Sequence, residues 1–392
     1  MEPTLDLQQI RKDIDAVDDE LAALFARRMA LCGKVAAFKK QTAKAVRDNA
    51  REEAIVARLA DGLSAEDAGA VKLLYSTIFE ISRARQSGML AKDNVGQAPL
   101  AKRIYASLEK RVPFPQAPVV ACQGVEGAYS QLACKKLFEK PNILYFENFE
   151  SVFKSVQSGL CRYGVLPFEN SIHGSVTEVY DMLSQTDVSV VGSVKLPIRH
   201  ALLAKTGTSL SDITEIWSHR QAIGQCSNFL NENRKIKVNI CENTAKAAKM
   251  VAESERNDVA AISSEGCAQL YSLDILKRDL QNSGVNYTMF YCISKELEMC
   301  GEATKAAFMF NIPNRAGALL NVLARFAANG INLTKIESRP ICGKDFEFMF
   351  YAEADTSGLN DALIRLFAEL SQSLDFFKFI GAYSELAPES AL

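Results

Sequence analysis

Between residues 5 and 40 the apolar side chains Leu7, Ile10, Ile14, Val17, Leu21, Leu24, Met29, Leu31 and Val35 recur at helical spacing, with no proline and only Gly33 as a breaker. That pattern predicts one uninterrupted helix. At 1.5 Å per residue it would run on the order of 50 Å, longer than a small domain shelters, so its apolar stripe needs partners along its length. A homodimer or higher homo-oligomer built on helices is the expected solution. Further helices are predicted over residues 47–60 and 64–85, which makes the first ninety residues all-α.

A chain of 392 residues has the length for two or three domains. Its net charge of -2 gives no electrostatic case for a nucleic-acid partner. No apolar run approaches the roughly 18 residues of a membrane span, and the first residues form no basic and apolar leader, so a cytoplasmic protein without a membrane partner is expected. The ten cysteines, from Cys32 to Cys342, include no C-x-x-C pair, so they read as reduced thiols rather than zinc ligands or disulfides.

The polar residues of the helical region are ordered. Arg28 and Lys39 are eleven apart, which leaves them about 20° out of line on one helix face. Asp48, Arg51 and Glu52 stand at i, i+3 and i+4, and Ser82 and Gln86 at i and i+4, so each set also shares a face. Arg11 lies about 100° from Arg28 and is expected to serve a different pocket, that of a second copy. A solvated, salt-bridged face explains any one of these pairs; the whole set resembles the all-helical chorismate mutases, in which Arg11, Arg28, Lys39, Asp48, Arg51, Glu52, Ser82 and Gln86 fall at binding and catalytic positions. The resemblance implies a clamp for a dianion undergoing a pericyclic step, with no nucleophile. Arg11, Arg28 and Arg51 would hold the carboxylates, and Asp48 and Ser82 would bind beside them. Lys39 and Gln86 would donate to the ether oxygen, and Glu52 would accept from the ring hydroxyl.

Residues 91–117 have a linker composition, with Gly96, Pro99, Pro113 and Pro115 around a helical stretch at 100–109. A strand at 118–122 then opens onto a loop with Gly124 and Gly127 that enters a helix at Ser130, an arrangement suited to an anion. It lacks the acidic residue of the dinucleotide fingerprint. Residues 164–175 hold Pro167, Glu169, Asn170, Ser171, His173 and Ser175 between Gly164 and Gly174, and read as a turn after a strand at 163–166 and before a helix at 176–183. Strand and helix patterns alternate onward to residue 262, which argues α/β with mixed sheets. Residues 218–221, Asn243, Thr244 and 286–290 would face a crevice between two lobes.

Taken together, the motifs at 124–130, 167–171, His200, 218–222 and 286–288 resemble the prephenate dehydratases over residues 118–292. This implies a two-lobed, periplasmic-binding-protein-like domain and a reaction expelling hydroxide and carbon dioxide as a ring becomes aromatic, with no metal or other cofactor. At the matching positions Thr288 is the candidate donor to the departing hydroxyl, with Asn170 and Gln221 holding substrate beside Ser171, Ser218, His219 and Arg220. His173, His200 and His219 are expected to be structural hydrogen-bonding residues. The family usually has an arginine where this chain has Met289, and a proline at Arg220; Arg220 is expected to replace the missing cation from the opposite lip.

Over residues 303–385 the pattern is β-α-β-β-α-β, the ferredoxin-like α+β order. Gly317, Ala318 and Leu319, with Glu337, Ser338, Arg339 and Pro340, resemble the regulatory ACT domain of phenylalanine biosynthesis, which implies phenylalanine bound as an allosteric inhibitor. The expected organisation is therefore a helical domain at 1–90, a linker at 91–117, an α/β domain at 118–295 and an α+β domain at 303–385. That order resembles the family of fused chorismate mutases and prephenate dehydratases, acting on chorismate and prephenate. The alternative is a chorismate mutase joined to an amino-acid-sensing module with weak or absent dehydratase activity.

Overall fold

The structure is a computed structural model that describes residues 6–42, 48–91, 98–111, 113–341, 347–356 and 359–386. The chain divides into two compact units, Met1–Tyr105 with Met309–Asp355 and Asn360–Phe379, and Ala106–Phe308 with Thr356–Leu359 and Ile380–Leu392. The first and last sequence modules therefore share one unit, and the α/β region forms the other.

In the first unit, helix α1 (Leu7–Thr42) is unbroken, as its periodicity predicts. Leu7, Ile14, Val17, Leu21, Leu24 and Leu31 along it are each more than half exposed. Helix α2 (Asn49–Ala60) is capped by the Asp48 carboxylate, which accepts from the Arg51 amide at 3.1 Å. Helix α3 (Ala65–Ala91) packs against both and runs six residues beyond its predicted end. Helix α4 (Pro99–Glu109) follows within the expected linker.

The second unit opens with β1 (Val119–Gln123), α5 (Tyr129–Leu137), β2 (Asn142–Phe146), α6 (Phe149–Gln157), β3 (Tyr163–Asn170), β4 (Gly174–Ser175) and α7 (Thr177–Gln185). It continues with β5 (Ser189–Pro197), β6 (Ala201–Lys205), β7 (Glu215–His219), α8 (Arg220–Gln225), α9 (Ser227–Glu232), β8 (Lys237–Cys241) and α10 (Thr244–Glu253). Then come β9 (Val259–Ser263), α11 (Glu265–Tyr271), β10 (Leu273–Lys277) and β11 (Tyr287–Ser294). The C-terminal elements are β12 (Lys305–Ile312), α12 (Ala318–Ala328), β13 (Leu333–Pro340), β14 (Phe348–Asp355), α13 (Asp361–Ser373), β15 (Phe377–Tyr383) and β16 (Glu385–Leu386).

Three sheets result. A seven-stranded sheet has the order β16-β5-β11-β3-β1-β2, with β4 beside β3; a five-stranded sheet has the order β10-β6-β9-β7-β8. The four C-terminal strands lie in the order β13-β14-β12-β15, the ferredoxin-like arrangement. Strand β16, parallel to β5, extends the chain past the expected end of the last domain.

One local expectation is corrected. Residues 167–170 are the end of β3 and not the turn after it. Pro167 cannot donate to a ladder, and it survives in this strand because the register with β11 slips there: Met289 pairs with Glu169, but Phe290 pairs with Pro167. The turn lies after the motif, before β4.

The α/β unit is close-packed around the seven-stranded sheet. A Cβ added to Gly381 would stand 2.0 Å from the Val190 carbonyl oxygen. Because that neighbour is backbone, Gly381→Ala is expected to cost about 3 kcal/mol or more of stability. Urea unfolding of the two proteins checks this; an unchanged midpoint would contradict the packing.

Candidate active sites

The α/β unit holds a cavity of about 340 Å³. Pro167 and Asn170 of β3 and Thr288 and Phe290 of β11 line one side, and His219, Gln221, Gln225, Asn243 and Thr244 another. The antiparallel register sets Thr288 directly opposite Asn170. Asn170 Nδ2 donates to Thr288 Oγ1 at 3.0 Å, to Asn286 Oδ1 at 2.9 Å and to the Tyr287 carbonyl at 3.1 Å. Its Oδ1 accepts from the amides of Ile172 and His173 at 3.1 and 3.0 Å. Those backbone donors fix the orientation of the side-chain amide, since only its oxygen can accept from them. Thr288 Oγ1 is thus an acceptor from Asn170, which leaves its own hydrogen for a ligand in the cavity.

Four helices begin at this cavity. Ala128, Tyr129 and Ser130 at the start of α5, Val176 before α7, His219 and Gln221 around the start of α8, and Asn243 and Thr244 at the start of α10 all line it. Helix N-termini carry partial positive charge, so together they suit an anion. Among the described residues lining the cavity none is Lys or Arg, and Glu242 is the one carboxylate.

The three histidines have hydrogen-bond partners within the protein, and His200 and His219 also line the cavity. His200 Nε2 meets Gln225 Oε1 at 2.8 Å, and Gln225 Nε2 lies 3.4 Å from His173 Nδ1. His219 Nδ1 accepts from the Gln221 amide at 3.3 Å and so caps α8. Burial pushes the pKa of both His200 and His219 below the ordinary 6.5, and the Gln225 contact offsets this partly for His200. The unfolded chain therefore binds protons that the folded chain resists. The stability these rings contribute is full above about pH 6.5 and falls as the pH drops below it. Thermal unfolding scanned from about pH 7.5 to pH 5 should show the loss, and His200→Gln should reduce it to the share that His219 contributes.

Other sequence candidates lie elsewhere. The Ser218 hydroxyl, fully buried, donates to the Ile262 carbonyl of β9 at 2.6 Å, which ties two strands and keeps it from the cavity lining. Ser171 locks the loop to β11: its amide donates to the Tyr287 carbonyl at 2.8 Å and its Oγ accepts from the Tyr287 amide at 2.9 Å. Arg220 is exposed, between the lining residues His219 and Gln221. Met289 alternates with Thr288 and Phe290, which line the cavity while it does not. An arginine in its place would share that direction. Gln225 was missed in the sequence, although its i+4 spacing from Gln221 signals a shared face.

In the helical unit, Arg28 Nη1 donates to Ser82 Oγ at 2.5 Å, with the guanidinium 5.4 Å from the centre of the Phe79 ring. Glu52 pairs with Arg83, whose other nitrogen pairs with Glu80. Sequence reasoning missed Glu80 and Arg83; their i, i+3 spacing alone is too common to single them out. Ser82 and Gln86 are buried on α3, and Gln86 Oε1 has no hydrogen-bond partner among the described residues. Lys39 is half-buried and Arg51 exposed, while Asp48 serves as the α2 cap. Arg11 is exposed on α1, about 25 Å along the helix from Arg28, too far to join it within one chain.

A second cavity, of about 250 Å³, lies at the start of α12. Gly317, Ala318 and Leu319 line it with Arg315, Phe348 and Phe350. Gly317 caps the helix at φ +81°, a left-handed conformation that glycine adopts without strain. Glu337, Ser338, Arg339 and Pro340 stand on the edge strand β13, outside this lining. Nine described cysteines are free, and no group of metal-ligating residues occurs among the described residues.

Comparison with known proteins follows the same divisions. The chorismate mutase type II family model matches residues 10–87 and the prephenate dehydratase model residues 120–298. The bifunctional chorismate mutase/prephenate dehydratase of Enterobacter agglomerans is 32% identical over 391 residues, covering 98% of this chain and 97% of that protein. Among solved structures, the prephenate dehydratase of Arthrobacter aurescens in complex with L-Phe is 25% identical, with a TM-score of 0.62 over 68% of this chain and 90% of that one. A quorum quenching acylase is 29% identical at the same TM-score, over 68% of this chain and 98% of that one.

Proposed function

Because the chain belongs to the bifunctional chorismate mutase/prephenate dehydratase family, we propose that it runs two consecutive steps of phenylalanine biosynthesis at separate sites and is inhibited by the end product. The helical domain, residues 1–90, rearranges chorismate to prephenate. Residues 118–295, joined by the linker 91–117, form a two-lobed domain that converts prephenate to phenylpyruvate. Residues 303–385 are an ACT domain that binds phenylalanine, with Gly317–Leu319 and the Glu337–Pro340 edge meeting across paired copies.

The observation that carries the dehydratase reading is Thr288 Oγ1 held by Asn170 inside a cavity ringed by helix N-termini. Prephenate is a dianion, and those N-termini supply the attraction its carboxylates need, with Arg220 at the rim adding charge. Loss of the ring carboxylate as carbon dioxide sends its bonding electrons into the ring as the ring C–O bond breaks. Thr288 donates a hydrogen bond to the departing hydroxide, and solvent completes it to water. Gln221 and Asn170 orient the substrate. An acylase working through a hydroxyl nucleophile needs a base beside it, whereas Thr288 Oγ1 meets an amide.

In the mutase site Lys39 and Gln86 donate to the ether oxygen, Arg28 and Arg51 take carboxylates beside Asp48 and Ser82, and Glu52 accepts from the ring hydroxyl. The exposed apolar stripe of α1 supports a homodimer, which would bring Arg11 of one copy to the site of the other. No helix among the described residues is long and apolar enough to cross a membrane, in keeping with a cytoplasmic enzyme.

The test is to supply the purified chain with chorismate, and separately with prephenate, and to follow prephenate and phenylpyruvate. Both products are expected, and phenylalanine should suppress the second. Phenylpyruvate failing to form from supplied prephenate would leave a mutase joined to an amino-acid-sensing module.

A further inference from the structure

Glu80 of α3 is a carboxylate with its side chain 3% exposed, held by two arginines. One oxygen pairs with Arg83 Nη2, on the same helix; the other accepts from Arg325 Nε of α12 at 2.8 Å. Arg83 passes the connection on, since its Nη1 pairs with Glu52 of α2. At the far end, Arg325 Nη1 donates to Ser373 Oγ of α13 at 2.9 Å and lies 3.5 Å from Glu369. An unbroken chain of charges thus runs Arg325, Glu80, Arg83, Glu52, from the C-terminal module to the helical one inside a single compact unit.

We propose that Arg325 is a positioning residue for the chorismate site, acting through Glu80 and Arg83 on Glu52. This rests on the reading that the helical domain rearranges chorismate with Glu52 as the hydroxyl acceptor. The buried Glu80 carboxylate requires positive charge, and two guanidinium groups share that task. With Arg325 gone, one Glu80 oxygen loses its guanidinium and Glu80 draws Arg83 further to itself, because a half-satisfied carboxylate that is 3% exposed costs more than Glu52, 25% exposed, left to water. Glu52 then loses the contact that fixes its carboxylate. Mutase activity is in this way tied to a residue 245 positions downstream of Glu80, and any ligand that shifts α12 reaches the mutase site along the same route.

The full chain is tested as wild type, R325Q, R325K and the double variant E80Q/R325Q. Mutase and dehydratase kinetics and thermal unfolding are measured on the same preparations. R325Q is expected to lower mutase kcat/KM about tenfold with dehydratase constants unchanged, and R325K to recover part of the loss. The double variant removes the charge that captures Arg83, so its mutase constants should return to within about threefold of wild type. A structural role alone predicts otherwise: lower stability with unaltered constants in R325Q, or a mutase loss in R325Q that the double variant does not recover. Either result overturns the proposal. Should R325Q not fold, the double variant buries no unpaired carboxylate and still decides: a tenfold mutase loss there sinks the relay. A wild-type chain that leaves chorismate unchanged fails the proposed function itself, seen before any variant is made, and this inference falls with it.

Discussion

Lys39→Ala is expected to lower mutase kcat/KM on the order of 10³-fold while dehydration of supplied prephenate proceeds at the wild-type rate. The size follows from the chemistry. A pericyclic step offers no covalent intermediate to stabilise, so its catalysis lies in holding the folded conformer and in donors aimed at the ether oxygen as charge develops there. Removing one such donor from a water-poor site typically costs 10²–10³, and Lys39 contributes its charge as well. The selectivity follows from the architecture, since Lys39 lies on α1 and the Thr288 cavity belongs to the other compact unit. Stopped assays with chorismate and with prephenate on one preparation read both effects. Equal loss of the two activities would contradict independent sites.

Thr288→Val should remove about 10²–10³ of dehydratase kcat and spare the mutase. Valine keeps the shape of the side chain and deletes both the donor to the leaving hydroxyl and the acceptor for Asn170 Nδ2. Asn170 retains Asn286 Oδ1 and the Tyr287 carbonyl as acceptors, so its amide is not stranded and the cavity should persist. Thr288→Ser, which restores the hydroxyl without the methyl, should recover most of the rate. A valine variant as active as wild type would assign the departing hydroxyl to some other donor, with Ser130 of the cavity wall the next to examine.

Much of this was legible because local rules decide it. The unbroken α1, the β-α-β-β-α-β order at the C-terminus and the strand at Lys237–Cys241 follow from periodicity, and no tertiary contact overrides them. Residues 167–170 read as a turn because proline and asparagine, with Ser171 following, are turn chemistry; the strand persists only through a register slip against β11, more than a hundred residues on. Ser218 and Arg220 show the same limit in a site motif. Strand alternation turns one hydroxyl to a neighbouring carbonyl, and helix α8 starts with the other exposed. Least legible were Glu80, Arg83 and Arg325, since acidic and basic residues at i, i+3 ordinarily mark a solvated face. Only the packing of α12 and α13 against α3 makes that face an interior.

The placement of α3 also bears on how such a chain can be divided. Its helical face closes over α12 and α13, although some two hundred residues of α/β domain intervene in sequence. Cutting the gene after residue 105 would therefore release a fragment that bares the Glu80 carboxylate and loses its distant guanidinium. The two severed ends would carry complementary halves of one interior and would be suited to reassociate in trans, so the fusion order records continuity of the polypeptide more than it records which parts fold together.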